Sequence, residues 1–453
     1  MTYAKIENIK IIVTVVLLLL NIFAISLYFI TEKIMKREKM SSLKITEKEK
    51  ATGIIFGKTK MGKVVFSPCD SEGHISVFGG SGLGKTTAIL IPTLRTWKGT
   101  SFTVDISGDI CKNVKMPLKL IYNPENKTSS PYNVFGAIDE ERDIDIKNEM
   151  LEQLAFLIMP DELESSETGK FFNTEGRNML IGSLICYYHV GMDFIEICEK
   201  IIENNWRDLL NDIADHDNRK ANQYIASFAG ANDQNNAGCK QSMDKAIKLF
   251  ATNEKVKKTI RRPKTKELCY MPRMLEKYNV FIVIDDSKLE VYSPLLQLIT
   301  AQTLQYLSAR SNQAKQTILL TLDEFVSLGK LEITAALRKL RKKHVRIIML
   351  TQSMADIDLV YGRPERMAMM NNYKFKVVLG CDDTDTQEYF AKLIGQKESV
   401  KRSVSKSTNN TTQTEAEQKE WVVPPADLAR LGDELILLSP DGYKRLKKNF
   451  YYK

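Results

Sequence analysis

The chain has 453 residues, 43% of them hydrophobic and 27% charged, with a formal net charge of +9. A chain of this length has room for about two to three domains with sizeable cores, which excludes a disordered protein, and so modest a charge permits an anionic partner without requiring one. Seven cysteines, at positions 69, 111, 186, 198, 239, 269 and 381, form no C-x-x-C pair, and the four histidines show no metal-ligand spacing. Zinc modules and disulfide scaffolds are thereby excluded in favour of a reduced, cytosolic body.

The first feature along the chain is an uncharged run from Ile11 to Ile30, interrupted only by a few hydroxyls and Asn21. As a helix it spans about 30 Å of hydrocarbon, so residues 1–40 read as a single N-terminal transmembrane anchor. Lys33, Lys36, Arg37 and Lys39 follow the run whereas Lys5 and Lys10 precede it. That bias places the C-terminal body in the cytoplasm of a single-pass protein in the cell membrane. Residues 41 to about 60 are polar and read as a tether.

Ile75–Phe78 is a β-type run feeding a glycine-rich turn, Gly79-Gly80-Ser81-Gly82-Leu83-Gly84-Lys85-Thr86-Thr87, which fits the P-loop spacing G-x-x-x-x-G-K-S/T. Glycines let successive backbone N–H groups curl around a triphosphate, the following helix presents its N-terminus to the anion, and Lys85 reaches the β and γ phosphates. The hydroxyl of Thr86 is placed for Mg²⁺. Cofactor-binding residues are therefore expected at 79 through 87, with ATP and Mg²⁺ as cofactors. Ser101–Asp105 reads as the next strand, and strand, loop, helix, strand is the logic of a parallel sheet. The first part of a nucleotide-binding domain thus occupies 41–144.

Strand signals are sparse from 145 to 275, where helical periodicity dominates, so this segment reads as an inserted all-α domain. It opens on an acidic run, with eleven acidic and two basic residues between Asp139 and Glu167, and closes on a basic one, with ten basic and two acidic residues between Lys240 and Lys266. Solvated helix faces are one reading; a phosphate-contacting surface and a dock for a basic partner are the other.

The second part of the nucleotide-binding domain, 276–453, begins with the apolar strand Val280–Ile284, followed by a helix over 294–309. Thr317–Leu322 ends in Asp323-Glu324. An apolar strand ending in paired carboxylates is a Walker B arrangement, with Asp323 on the Mg²⁺ shell and Glu324 orienting the attacking water. Arg346–Leu350 leads into Thr351-Gln352-Ser353, where Gln352 is placed to sense the γ-phosphate; Thr351 and Ser353 alternatively suit a helix cap. Arg341, in a basic stretch with Arg338 and Arg346, is the candidate for an arginine acting on a neighbouring subunit's nucleotide. The Ser/Thr-rich tract 403–418 reads as a mobile loop, and a short helix and a hairpin close the chain.

Three motifs in order, Phe78 to Thr86 followed by Ile91-Pro92-Thr93, Leu322-Asp323-Glu324-Phe325-Val326-Ser327-Leu328-Gly329-Lys330-Leu331, and Thr351-Gln352-Ser353, resemble those of the type IV coupling proteins of conjugation systems, the TraG/TraD-like ATPases. The resemblance implies a RecA-like α/β P-loop NTPase with a mostly parallel sheet, catalytic roles for Lys85, Glu324, Gln352 and Arg341, and metal ligation by Thr86 and Asp323. It also implies a homo-hexameric ring at the membrane that delivers single-stranded DNA with bound relaxase to type IV secretion channel components. Protein-effector export, a cell-division-type pump of double-stranded DNA and an ATP-assembled scaffold are the competing readings. Two departures stand out: members usually carry two N-terminal membrane helices, and Asp105-Ile106-Ser107-Gly108-Asp109 lacks the lysine usual in that motif.

Overall fold

A computed structural model describes residues 43–161, 166–407 and 410–452. The expected anchor at 1–40 lies outside them, and among the described residues no helix is long and apolar enough to cross a membrane.

A single twelve-stranded sheet organises the chain. Its strands are β1 (Lys44–Thr46), β2 (Gly53–Lys58), β3 (Val64–Pro68), β4 (His74–Phe78), β5 (Thr100–Asp105), β6 (Lys119–Tyr122), β7 (Asn279–Val283), β8 (Ile318–Leu322), β9 (Val345–Thr351), β10 (Tyr373–Val378), β13 (Glu434–Ser439) and β14 (Gly442–Lys447). A separate hairpin is made by β11 (Gln396–Ser407) and β12 (Asn410–Trp421). The spatial order is β1-β3-β2-β14-β13-β10-β4-β9-β8-β5-β7-β6. From β10 to β6 every pairing is parallel, and from β10 to β1 every pairing is antiparallel. The result is the expected α/β fold with a mostly parallel sheet.

The parallel strands are buried on both faces, which explains their unbroken apolar runs. Along β9, Ile348 and Leu350 pack with Ile89, Leu90, Leu94 and Trp97 of the P-loop helix on one face. Ile347 and Met349 pack on the other. The P-loop helix, α1, is wound as a π-helix over Lys85–Leu90 and as an α-helix over Ile91–Thr96.

Between β6 and β7 the chain forms α2 (Ile144–Ile158), α3 (Glu167–His189), α4 (Phe194–Glu203), α5 (Trp206–Asp215), α6 (Arg219–Ile225), α7 (Asp233–Thr252) and α8 (Glu254–Thr259). Their starts are set by side chains that satisfy the free backbone N–H groups of the first turn: Asp143, Ser166, Asp193, Asn205, Asn218, Asn232 and Asn253 each accept at least one. Their apolar faces do not form a core of their own. Leu180, Leu184, Met243 and Phe250 belong to the same buried cluster as Val104, Leu320 and Met349 of the sheet.

Two expectations are corrected. The described residues of the expected tether, 43–60, do not form one, because Gly53–Lys58 is a buried strand and Lys44–Thr46 pairs with β3. The apolar Ile54-Ile55-Phe56 is short enough to be hidden among flanking lysines and glutamates in a composition reading. Nor are the described residues of 403–418 a loop: β11 and β12 pair in continuous register from Gln396↔Trp421 to Ser407↔Asn410, in keeping with the strand preference of the threonines and valines interleaved there.

Candidate nucleotide-binding site

The chemistry-bearing residues gather at the carboxyl ends of the parallel strands, where crevices form in sheets of this type. β9 lies between β4 and β8, so Gln352 follows a strand flanked by the P-loop strand and the Walker B strand. A cleft of about 510 Å³ results, lined by Gly80, Ser81, Gly82, Lys85, Thr86, Thr87, Asp323, Glu324 and Gln352 among others.

Gly82 and Gly84 carry φ of 73° and 99°, conformations that a side chain at either position would strain, and they turn the loop around the cleft. Lys85 is 6% exposed and donates to Gly79 O at 2.8 Å, with Glu324 at 3.5 Å. The Thr86 hydroxyl donates to Asp323 Oδ1 at 3.5 Å. Gly79 and Leu83 are absent from the cleft lining, and the Leu83 side chain turns toward Gly380, where an added Cβ would meet its Cδ1 at 2.8 Å. Gln352 is exposed in the cleft, and the helix cap is supplied instead by Ser353, whose side chain accepts from Asp356 N at the start of α11 (Met354–Asn372), the helix that follows α9 (Leu289–Ala309) and α10 (Ile333–Leu340).

Electrostatics distinguish this cleft. Burial, then the charges of Glu324 and Asp105, push the Asp323 carboxyl up to about 7. Burial likewise raises Asp105, although it accepts backbone N–H groups of Gly108 at 2.9 Å and Cys111 at 2.7 Å. Glu324 and Asp323 therefore face one buried lysine, and the charge of Asp105 bears on Asp323. A hydroxyl and a carboxylate with water and phosphate oxygens make the hard-oxygen shell that Mg²⁺ takes, so the donor set fits that ion. Among the described residues no group of three or more His, Cys, Asp or Glu is arranged to hold a metal. Glu324 adopts φ 45°, ψ 53°, a left-handed conformation of the kind stored at functional sites.

The segment after Walker B is clamped to α11. Phe325 stacks on Tyr361 with ring centroids 5.3 Å apart, Tyr361 OH accepts from Leu331 N at 3.1 Å and donates to Gly329 O at 3.3 Å, and Lys330 reaches Glu365 at 3.6 Å. The helix bearing Gln352 at its entrance is thus fixed to the strand bearing Glu324, and it breaks at Gly362 (φ 73°, ψ 156°) immediately beyond the clamp.

Arg341 lies at the amino ends of the strands, in the turn before β9, exposed and 3.5 Å from Glu72. Arg346 is buried and donates to Gly73 O, Pro68 O and Ser67 Oγ, so its role is structural. Several members of the two charge runs pair within the molecule: Arg262 with Asp139 at 2.9 Å, Arg273 with Glu140 at 2.6 Å, Lys220 with Glu152 at 3.0 Å and Lys257 with Glu199 at 2.7 Å. The reading of solvated and paired helix faces is favoured over one continuous phosphate-binding surface.

Sequence reasoning gave no role to Asp105, a carboxylate at a strand end whose charge acts on Asp323, and passed over one group lining the cleft. Tyr451 gave no local signal, since it reaches the cleft from the far end of the chain.

Residues 29–453 match the family described as type IV secretory system conjugative DNA transfer. The chain belongs to that family. VirD4 of Rhizobium rhizogenes is 23% identical over 429 residues, covering 88% of this chain and 62% of that protein. The probable conjugal transfer protein TraG of Sinorhizobium fredii is 22% identical over 404 residues, covering 81% and 60%. The chain therefore spans about 62% of the length of the VirD4 relative it matches. The bacterial conjugative coupling protein TrwB, lacking its N-terminal 70 residues, has a similar fold, with a TM-score of 0.68 at 20% identity and 88% of each chain covered. TrwB in complex with ADP and Mg²⁺ gives 0.66 at 20% identity, covering 83% and 85%.

Proposed function

We propose that this family member is a membrane-anchored ATPase that couples a DNA–relaxase substrate to a type IV secretion channel and drives conjugative transfer. The observation that carries the reading is the convergence of Lys85, Thr86, Asp323, Glu324 and Gln352 on one cleft. Bound MgATP supplies the phosphoanhydride to be cleaved. Lys85, released from Gly79 O, holds the β and γ phosphates, while Thr86 and Asp323 hold Mg²⁺. Glu324 orients and polarises the attacking water, and Gln352 contacts the γ-phosphate or that water. Complexes of TrwB with ATP and GTP analogues, and with ADP and Mg²⁺, support this assignment of ligand.

The anchor rests on the uncharged run Ile11–Ile30, and the cytoplasmic body on the lysines and arginine that follow it. A homo-hexameric ring is supported by the place of Arg341: exposed at the amino ends of the strands, away from its own cleft, it is suited to a neighbour's nucleotide.

Glu324→Gln is expected to retain ATP binding and lose hydrolysis by about 10²- to 10⁴-fold, and Lys85→Ala to lose both. Either variant should abolish DNA transfer from donor cells while the protein stays in the membrane fraction. Transfer at the normal frequency would refute the motor. ATPase activity should also rise with protein concentration and with single-stranded DNA; rates flat in both would remove the shared site and the DNA ligand.

A further inference from the structure

The cleft has two ends. Glu324 and Gln352 mark the one where the γ-phosphate reacts, and Thr87, beyond the phosphate cradle, marks the one where a nucleoside must leave the phosphates. The second end is closed by the C-terminal segment. Tyr451 N donates to Thr87 O at 3.1 Å, and an added Cβ at Gly84 would meet Phe450 Cε1 at 3.0 Å, so this segment lies directly against the P-loop. The Arg95 guanidinium covers one side of the Tyr451 ring at 4.8 Å from its centroid and donates to Tyr451 O at 3.3 Å. Two further bonds, from Arg95 Nε at 3.0 Å and Nη2 at 2.8 Å to Asn113 O, fix that guanidinium in turn. Among the described residues lining the cleft, Tyr451 is the one aromatic.

We propose that Tyr451 forms the nucleobase subsite, held by Arg95 and Thr87 so that a purine stacks on the ring. The proposal rests on the nucleotide reading above and adds the ligand's other half to it. Stacking on an aromatic face reads no hydrogen-bonding edge, because every base presents a π-face. The subsite therefore takes adenine and guanine nucleotides alike.

The test compares ATP, GTP and inorganic triphosphate as ligands of the full chain in Mg²⁺. Tyr451→Ala should weaken ATP and GTP by about tenfold or more each, the scale of one base–aromatic stack. It should leave inorganic triphosphate at its wild-type affinity, whereas Lys85→Ala should weaken all three. Tyr451→Phe, which keeps the ring, should restore nucleotide affinity. Equal losses of ATP and triphosphate in Tyr451→Ala would overturn the subsite, since the segment would then only prop the P-loop, and unchanged ATP affinity would overturn it directly. Wild-type protein that binds triphosphate but gains nothing from the nucleoside also refutes it, while wild-type protein that binds none of the three overturns the nucleotide reading and the subsite with it.

Discussion

His74, at the start of the P-loop strand, is wholly buried between two backbone partners. Its Nε2 donates to Leu337 O at 2.9 Å and its Nδ1 accepts from Ile347 N at 3.1 Å, so one neutral tautomer satisfies both. Burial pushes its pKa down to about 4 from 6.5. The unfolded chain then binds the extra proton between those values, and the folded state gains about 3 kcal/mol as pH rises from 4 to 6.5. Asp323 works in the opposite direction. Raised to about 7, it keeps its proton in the folded state, so its contribution falls as pH rises from 3.8 to 7. The two slopes largely cancel in the wild type. Urea titrations should show stability climbing with pH in Asp323→Asn, and the climb should disappear when His74→Gln is added; an unaltered slope in the double variant would assign it elsewhere. Neither shift is legible in sequence, because both arise from burial by strands distant along the chain.

At the scale of elements, the clamp between the Walker B continuation and α11 accounts for the Leu328-Gly329-Lys330-Leu331 motif that marks the family resemblance. Gly329 and Leu331 contribute backbone groups to Tyr361, and Lys330 an ion pair to Glu365. Tyr361→Phe leaves the Leu331 N–H buried without an acceptor and should cost about 1–3 kcal/mol in denaturant unfolding. Gly362→Ala should cost a similar amount, about 1–3 kcal/mol, because only glycine adopts φ 73°, ψ 156° without strain. Thermal midpoints unchanged in both variants would show that the kink and its clamp carry no strain and no hydrogen-bond energy. The P-loop, the Walker B strand and the Gln352 strand were legible because each is a contiguous motif with its own chemistry. The strands Lys44–Thr46 and Gly53–Lys58 were not, since both are short, the first stays exposed, and the second gains its burial only by joining β14 and β3. Tyr361 was equally silent: its partners lie some thirty residues earlier, and only the fold brings them together.

Across the whole molecule, the helical segment was visible in sequence as a change of texture between two stretches of strand. What the periodicity did not reveal is that its core is continuous with that of the sheet. A boundary drawn by composition is therefore not a boundary in packing. Replacing residues 144–259 with a short linker should expose the apolar face of the sheet and yield no soluble nucleotide-binding body; a folded, ATP-binding product would show that the insertion is dispensable. The three tryptophans make the consequence observable by light. Trp97 is buried at the end of α1, Trp206 opens α5 and Trp421 ends the separate hairpin. Trp206 and Trp421 both pack against the core that the helices share with the sheet, so their emission should shift together in a single cooperative step, while Trp97 reports the sheet's other face.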